Sequence, residues 1–204
     1  MFRSFLRTAV VAVVTCTGFT FAEELKSGLQ IGDAPEAFKV MDVTGGSAGQ
    51  TVCYRCQLGD KPVVNVFVRE INQNSTDLIK RLDKEMSERK ELKGFVVLLT
   101  EDKAAAEKSL KELAEKESIK NVPLTYFEGT AGPEAYKLSK DADVTVHMWV
   151  KGKVTANHAF RAQELTSEKI DEMAKGLEKC MASAEATMKE AAEKTEAKSG
   201  EGNN

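Results

Sequence analysis

The chain reads as an α/β fold with a mixed central sheet, an N-terminal β-arm, and a closing β-hairpin followed by a helix. Three observations predict it. The runs 63–68 and 95–99 have the length and apolar continuity of buried strands, and 122–127 reads as a third strand. Between them, the stretches that begin at Asn74 and at Lys103 carry apolar residues at helical spacing. After them, 144–150 and 153–160 flank Lys151-Gly152 as the two arms of a hairpin. Helices between apolar strands imply right-handed crossovers and a parallel centre, to which the hairpin adds antiparallel strands.

In chain order, Met1 to Arg7 carries two positive charges and no acid, and an apolar run from Thr8 to Phe21 follows. With Thr20-Phe21-Ala22 as a small-residue cleavage site, residues 1–22 read as a secretory signal peptide, too short in its apolar part for a span of about 20 residues. Thr15 before Cys16 argues against a lipoprotein anchor. Glu23 to Gln30 reads as a loose polar leader. Phe38, Val40 and Asp42 alternate in a short strand after the turn at Gly32 to Pro35. Gly45 to Gly49 is a turn, and Gln50 to Leu58 is expected to return as a second arm. Val63 to Val68, opened by Pro62, is apolar except for Asn65 and is expected to be the central strand.

Asn74 or Ser75 can cap the next helix, with Leu78, Ile79, Leu82 and Met86 inward and Gly94 ending it. The helix 103–118 turns Ala106, Leu110, Leu113 and Ala114 inward. Gly132-Pro133 starts a short helix to Ser139. A last helix from Thr166 carries Ile170, Met173, Ala174, Leu177 and Cys180 on one face. Residues 181–204, rich in Ala, Glu and Lys, form a charged tail. With 204 residues and 42% hydrophobic content, the chain supports one domain, 23–180, between the leader and the tail.

Removing 1–22 takes Arg3 and Arg7, so 29 basic residues become 27 against 32 acidic ones. The mature protein is mildly acidic and shows no basic stripe with interleaved aromatics, which speaks against a nucleic-acid partner. Export to the periplasm or the extracellular space permits a lasting disulfide.

Cys53-Tyr54-Arg55-Cys56 stands directly before the central strand. Two intervening residues let the sulfurs meet in a small ring, and Arg55 brings a positive charge nearby. Three readings of the pair stay open: redox exchange, a structural disulfide, and metal binding. His147 and His158, the only histidines, could complete a Cys2His2 set for copper or zinc; packing is the simpler reading for both. Covalent haem attachment is excluded in its standard form, because Gln57 stands where His is required. Cys180 on its apolar stripe reads as a core residue, as does Trp149.

Gly32-Asp33-Ala34-Pro35 followed by Phe38, Val40 and Asp42, and Gly59-Asp60-Lys61-Pro62-Val63-Val64-Asn65-Val66-Phe67, resemble the opening and strand-entry motifs of the thioredoxin-like superfamily in its redoxin branch of peroxiredoxins and exported thiol-disulfide proteins. Glu134-Ala135-Tyr136-Lys137-Leu138 with the hairpin and last helix is similar to its closing half, and the likeness covers roughly 30–180. The resemblance implies a three-layer fold. It also implies a reactive cysteine just after the strand at 63–68, but the sequence there is Arg69-Glu70-Ile71-Asn72-Gln73-Asn74-Ser75-Thr76. The peroxidatic Thr-x-x-Cys pattern is missing, as is a proline at the entry to Val144, so ordinary peroxiredoxin activity is not expected.

The expectation is therefore thiol-disulfide exchange with a protein disulfide or dithiol substrate through Cys53 and Cys56, assisted by Arg55, with no cofactor and no bound metal. Either cysteine could attack. The alternatives are a non-catalytic binding or scaffold module with a structural Cys53–Cys56 pair, and a copper- or zinc-binding protein. Oligomeric state stays open.

Overall fold

A computed structural model describes residues 25–178 and 181. The expected signal peptide at 1–22, Cys180 and nearly all of the charged tail lie outside the described residues. The elements in order are β1 (Val40–Asp42), β2 (Thr51–Val52), α1 (Tyr54–Leu58), β3 (Val63–Val68), α2 (Gln73–Glu88), β4 (Lys93–Thr100), α3 (Lys103–Glu117), β5 (Leu124–Glu128), a 3-10 turn (Glu134–Tyr136), β6 (Val144–Val150), β7 (Lys153–Phe160) and a second 3-10 turn (Ala162–Glu164). A last helix, α4, occupies 167–178.

One seven-stranded sheet runs in the order β2-β1-β5-β4-β3-β6-β7. The pairs β3/β4 and β4/β5 are parallel, and the pairs toward both edges are antiparallel. All six residues of β3 are buried, as a central strand requires. The hairpin arms fall where the periodicity put them, with a register irregularity between Met148 and Trp149.

The step from β3 to β4 and the step from β4 to β5 go in the same direction across the sheet. Right-handed crossovers then put α2 and α3 on the same face. Leu78, Ile79 and Leu82 of α2, Leu110 and Leu113 of α3, and Ile170, Met173 and Leu177 of α4 accordingly share one core with Val64, Val66 and Val68 of β3. The opposite face presents Val63, Phe67, Phe95, Val97 and Trp149, and it is sealed by Leu29, Val52, Tyr54 and Tyr136 from short or irregular segments. Phe38 lies against this face, with its ring 4.8 Å from Tyr136 and 5.7 Å from Phe67.

Several local expectations are corrected. The loose leader is instead a buried strap over 27–29. Ser27 and Leu29 are 2% and 5% exposed. Ser27 Oγ shares a hydrogen bond with Thr145 Oγ1, and Gly28 N–H donates to the Lys137 carbonyl. The strap supplies apolar cover that the helix-free face lacks. The cap of α2 is Asn72, in a reciprocal box with Ser75, because Asn72 Oδ1 reaches Ser75 N–H while Asn74 Nδ2 is committed to the Ala162 carbonyl. α2 stops at Glu88, and Gly94 belongs to β4, where a Cβ would stand 2.8 Å from the Val64 carbonyl oxygen. Of the helix expected from Pro133, only the 3-10 turn forms.

His147 holds the strap. It is fully buried opposite Asn65 in the β3/β6 register, and its Nε2 accepts the Leu29 N–H at 2.9 Å. The neutral ring therefore carries its proton on Nδ1. Burial pushes its pKa from 6.5 down to about 4. Gly28, at φ +80°, passes so close that a Cβ would lie 2.1 Å from His147 Nε2.

Gly28→Ala therefore combines backbone strain with a clash, and it is expected to cost about 2 kcal/mol or more of unfolding free energy. Gly49→Ala, at φ +82° with open space around it, is expected to cost about 1 kcal/mol; denaturant titration of both variants checks the difference. For His147 the unfolded chain takes up a proton near pH 6.5 and the folded chain only near 4, so protonation favours unfolding. Its stabilising contribution, about 3 kcal/mol, is complete above the unfolded value and is lost as pH falls through that window. In His147→Gln the slope of unfolding free energy against pH there is expected to shrink by about one proton.

Candidate active site

The cysteine pair does not lie on an extended arm. β2 ends at Val52, and the chain then closes into α1, a five-residue helical turn preceded by Cys53. The Cα atoms of Cys53 and Cys56 are 5.3 Å apart, and their sulfurs are joined in a disulfide. Three steps along a strand would span about 10 Å, beyond the reach of a disulfide, so a closed Cys-x-x-Cys pair requires a turn. Cys53 serves as the cap: its Sγ accepts the Cys56 N–H at 3.1 Å, and its carbonyl accepts the N–H groups of Cys56 and Gln57. Cys56 is exposed, whereas Cys53 is half-buried between the buried residues Val52 and Tyr54.

The two intervening residues anchor the turn. Tyr54 drives into the helix-free face, stacks on Phe95 with ring centroids 5.1 Å apart, and donates its hydroxyl to Asp42 Oδ2 at 2.9 Å. Asp42 is fully buried and also accepts the N–H groups of Gly45 and Ser47, both at 2.8 Å. Burial, reinforced by the Asp42 hydrogen bond, pushes the Tyr54 phenol well above its ordinary pKa and keeps it a donor. Gly45 has to be glycine, since a Cβ there would sit 2.3 Å from the Tyr54 oxygen. Arg55 turns its guanidinium onto backbone carbonyls, Nε to Pro35 and Nη1 to Gly59, and so ties the C-terminal end of the turn to the loop at Pro35.

The position after β3, where the resemblance implies a thiol, is filled differently. Arg69 donates from its backbone to the Asp143 carbonyl, and its guanidinium reaches the carbonyls of Thr130, Ala142 and Ser139. One side chain thus gathers the loops that border the carboxyl end of β3. Asp143, at the entry to β6, accepts the Ala162 N–H.

The structure does not assemble the copper or zinc set. His147 and His158 face opposite sides of the sheet, because His158 pairs with Val146 and His147 with Asn157. His158 stacks on Phe160, and burial, with the Lys169 charge, lowers its pKa. Among the described residues no group of three His, Cys, Asp or Glu side chains could hold a metal ion, and no helix is long and apolar enough to cross a membrane.

Sequence reasoning missed Tyr54 and Asp42 as the supports of the pair. The signal was present as a tyrosine between two cysteines and an aspartate in an otherwise apolar strand pattern. Tyr54→Phe keeps the ring stack and strips the buried carboxylate of a donor. It is expected to lower unfolding free energy by about 1–3 kcal/mol in chemical denaturation, with the disulfide still formed by thiol count.

No protein-family model matches the chain, and no curated protein matches it. Solved structures do. A putative thiol:disulfide interchange protein DsbE from Chlorobium tepidum is 14% identical with a TM-score of 0.52, covering 72% of this chain and 97% of its own. A putative protein disulfide isomerase from Bacteroides thetaiotaomicron is 14% identical with a TM-score of 0.56, covering 76% and 95%. A peroxiredoxin 6 of Arenicola marina is 13% identical with a TM-score of 0.55, covering 77% and 76%. At these identities the likeness is one of architecture, and the chain has the thioredoxin-like α/β fold in the arrangement shared by disulfide interchange proteins and peroxiredoxins.

Proposed function

We propose that the protein exchanges disulfides with thiols of a protein partner through Cys53 and Cys56, outside the cytoplasm. The observation that carries the reading is the Cys53–Cys56 disulfide, closed across a short turn and exposed at Cys56. The folds of proteins described as thiol:disulfide interchange protein and protein disulfide isomerase support it. The leader at 1–22 supports export, and an oxidising compartment would keep the bond closed between turnovers. In the forward direction the partner's dithiol becomes a disulfide and the Cys53–Cys56 disulfide becomes two thiols. Two electrons and two protons pass to this chain. Arg55 acts as a positioning residue that holds the turn, and its positive charge favours thiolate at the pair.

The anchoring of Tyr54 and Arg55 favours one competing reading, in which the bond only staples the turn. The two readings differ in reduction potential. An exchanging pair is expected to equilibrate with glutathione buffers at a potential above about −300 mV and to reduce insulin when coupled to a dithiol donor. A potential well below that value with no insulin turnover, together with loss of stability alone in Cys53→Ser, would leave the structural staple.

A further inference from the structure

The two sulfurs are not equivalent, and the asymmetry assigns an order to the exchange. Resting on the exchange reading above, we infer that the partner's thiol enters at Cys56 and that Cys53 is the sulfur that leaves. Cys56 is an exposed residue and is followed by the exposed Gln57. Cys53 is half-buried with a buried residue on each side. Access decides which sulfur of a disulfide is attacked, and the stability of the departing thiolate sets the rate of its expulsion.

The hydrogen bond at the pair serves that departure. Cys56 N–H already points at Cys53 Sγ, 3.1 Å away, in the resting disulfide. A donor fixed on the atom where negative charge develops lowers the cost of that charge without reorganisation. The turn that supplies this donor is held from both sides, by the Tyr54 hydroxyl on Asp42 and by Arg55 on the Pro35 and Gly59 carbonyls.

The partner thiolate forms a bond to Cys56 Sγ as the Cys56–Cys53 bond breaks, and the electron pair leaves on Cys53 Sγ. The partner's second thiolate then attacks the partner sulfur of the mixed disulfide, closing the partner's disulfide and releasing Cys56 as thiolate. The two protons given up by the partner's thiols are taken up by Cys53 and Cys56. In reverse, Cys56 attacks a partner disulfide and Cys53 resolves the mixed intermediate.

The test uses reduced glutathione on the oxidised mature protein, followed by acid quench, alkylation of free thiols and peptide mass mapping. Glutathione is expected on Cys56 over Cys53 by about tenfold or more, with Cys53 alkylated. With oxidised glutathione, Cys53→Ser is expected to form its Cys56 adduct at least about tenfold faster than Cys56→Ser forms one on Cys53. The wild-type mapping stands without either variant, so a folding defect in one does not decide the outcome. Adducts on Cys53 at an equal or greater level overturn the order and leave exchange intact. No adduct on either cysteine, with the disulfide unopened, overturns both the order and the exchange reading.

Discussion

Among the described residues, two crossovers that travel in the same direction leave one side of the sheet with every long helix and the other side with none, and most of this molecule follows from that asymmetry. β3 and β4 are buried on both faces, so the side without helices has to be closed by whatever chain remains. Three short pieces close it: the strap at 27–29, the turn at 53–58 and the 3-10 turn at 134–136. Each brings an apolar or aromatic side chain and at least one polar tie, among them Leu29 N–H to His147, Tyr54 hydroxyl to Asp42, and Tyr136 hydroxyl to the Glu36 carbonyl at 2.9 Å. A tie of this kind contributes about 1 kcal/mol when made, and stranding its buried partner costs more. These pieces are therefore specified by matched polar partners as well as by apolar cover.

The cysteine pair belongs to that closure. Its turn is short, yet Tyr54 fixes it to the first hairpin through Asp42 and to β4 through Phe95. On the carboxyl side of β3, Arg69 spends its donors on three loop carbonyls and leaves a braced loop cluster where a thiol would stand in the proteins the sequence resembles. A shared architecture thus does not locate the chemistry, which has to be read from the side chains present.

The long elements were legible because strand and helix periods differ and because apolar runs of this length have few uses. The hairpin at 144–160 was read to the residue, since Lys151-Gly152 fixes the turn and the turn fixes the register. The same register already separated the histidines: with Val144 opposite Phe160, His158 falls beside Val146 and on the other side of the sheet from His147. The strap was not legible, because Ser27 and Gly28 are polar or small and their burial depends on Thr145 and His147, more than a hundred residues away. The Asn72 cap was obscured by four residues able to cap within five positions, Asn72, Asn74, Ser75 and Thr76, and only the three-dimensional competition for Asn74 decides it. The turn at Cys53 was within reach of simple geometry, since sulfurs three positions apart cannot meet along an extended chain.

Because the disulfide is built into a wall of the core, oxidation and folding act on the same atoms. Whatever free energy the packed turn contributes by holding the two sulfurs together, closure of the bond must return to the packed turn, as reciprocity between coupled equilibria demands. Firmer anchoring at Tyr54 would thus make the oxidised form harder to reduce, and a looser anchor would make it a stronger oxidant. The electron affinity of the pair can accordingly be tuned by residues that never touch sulfur.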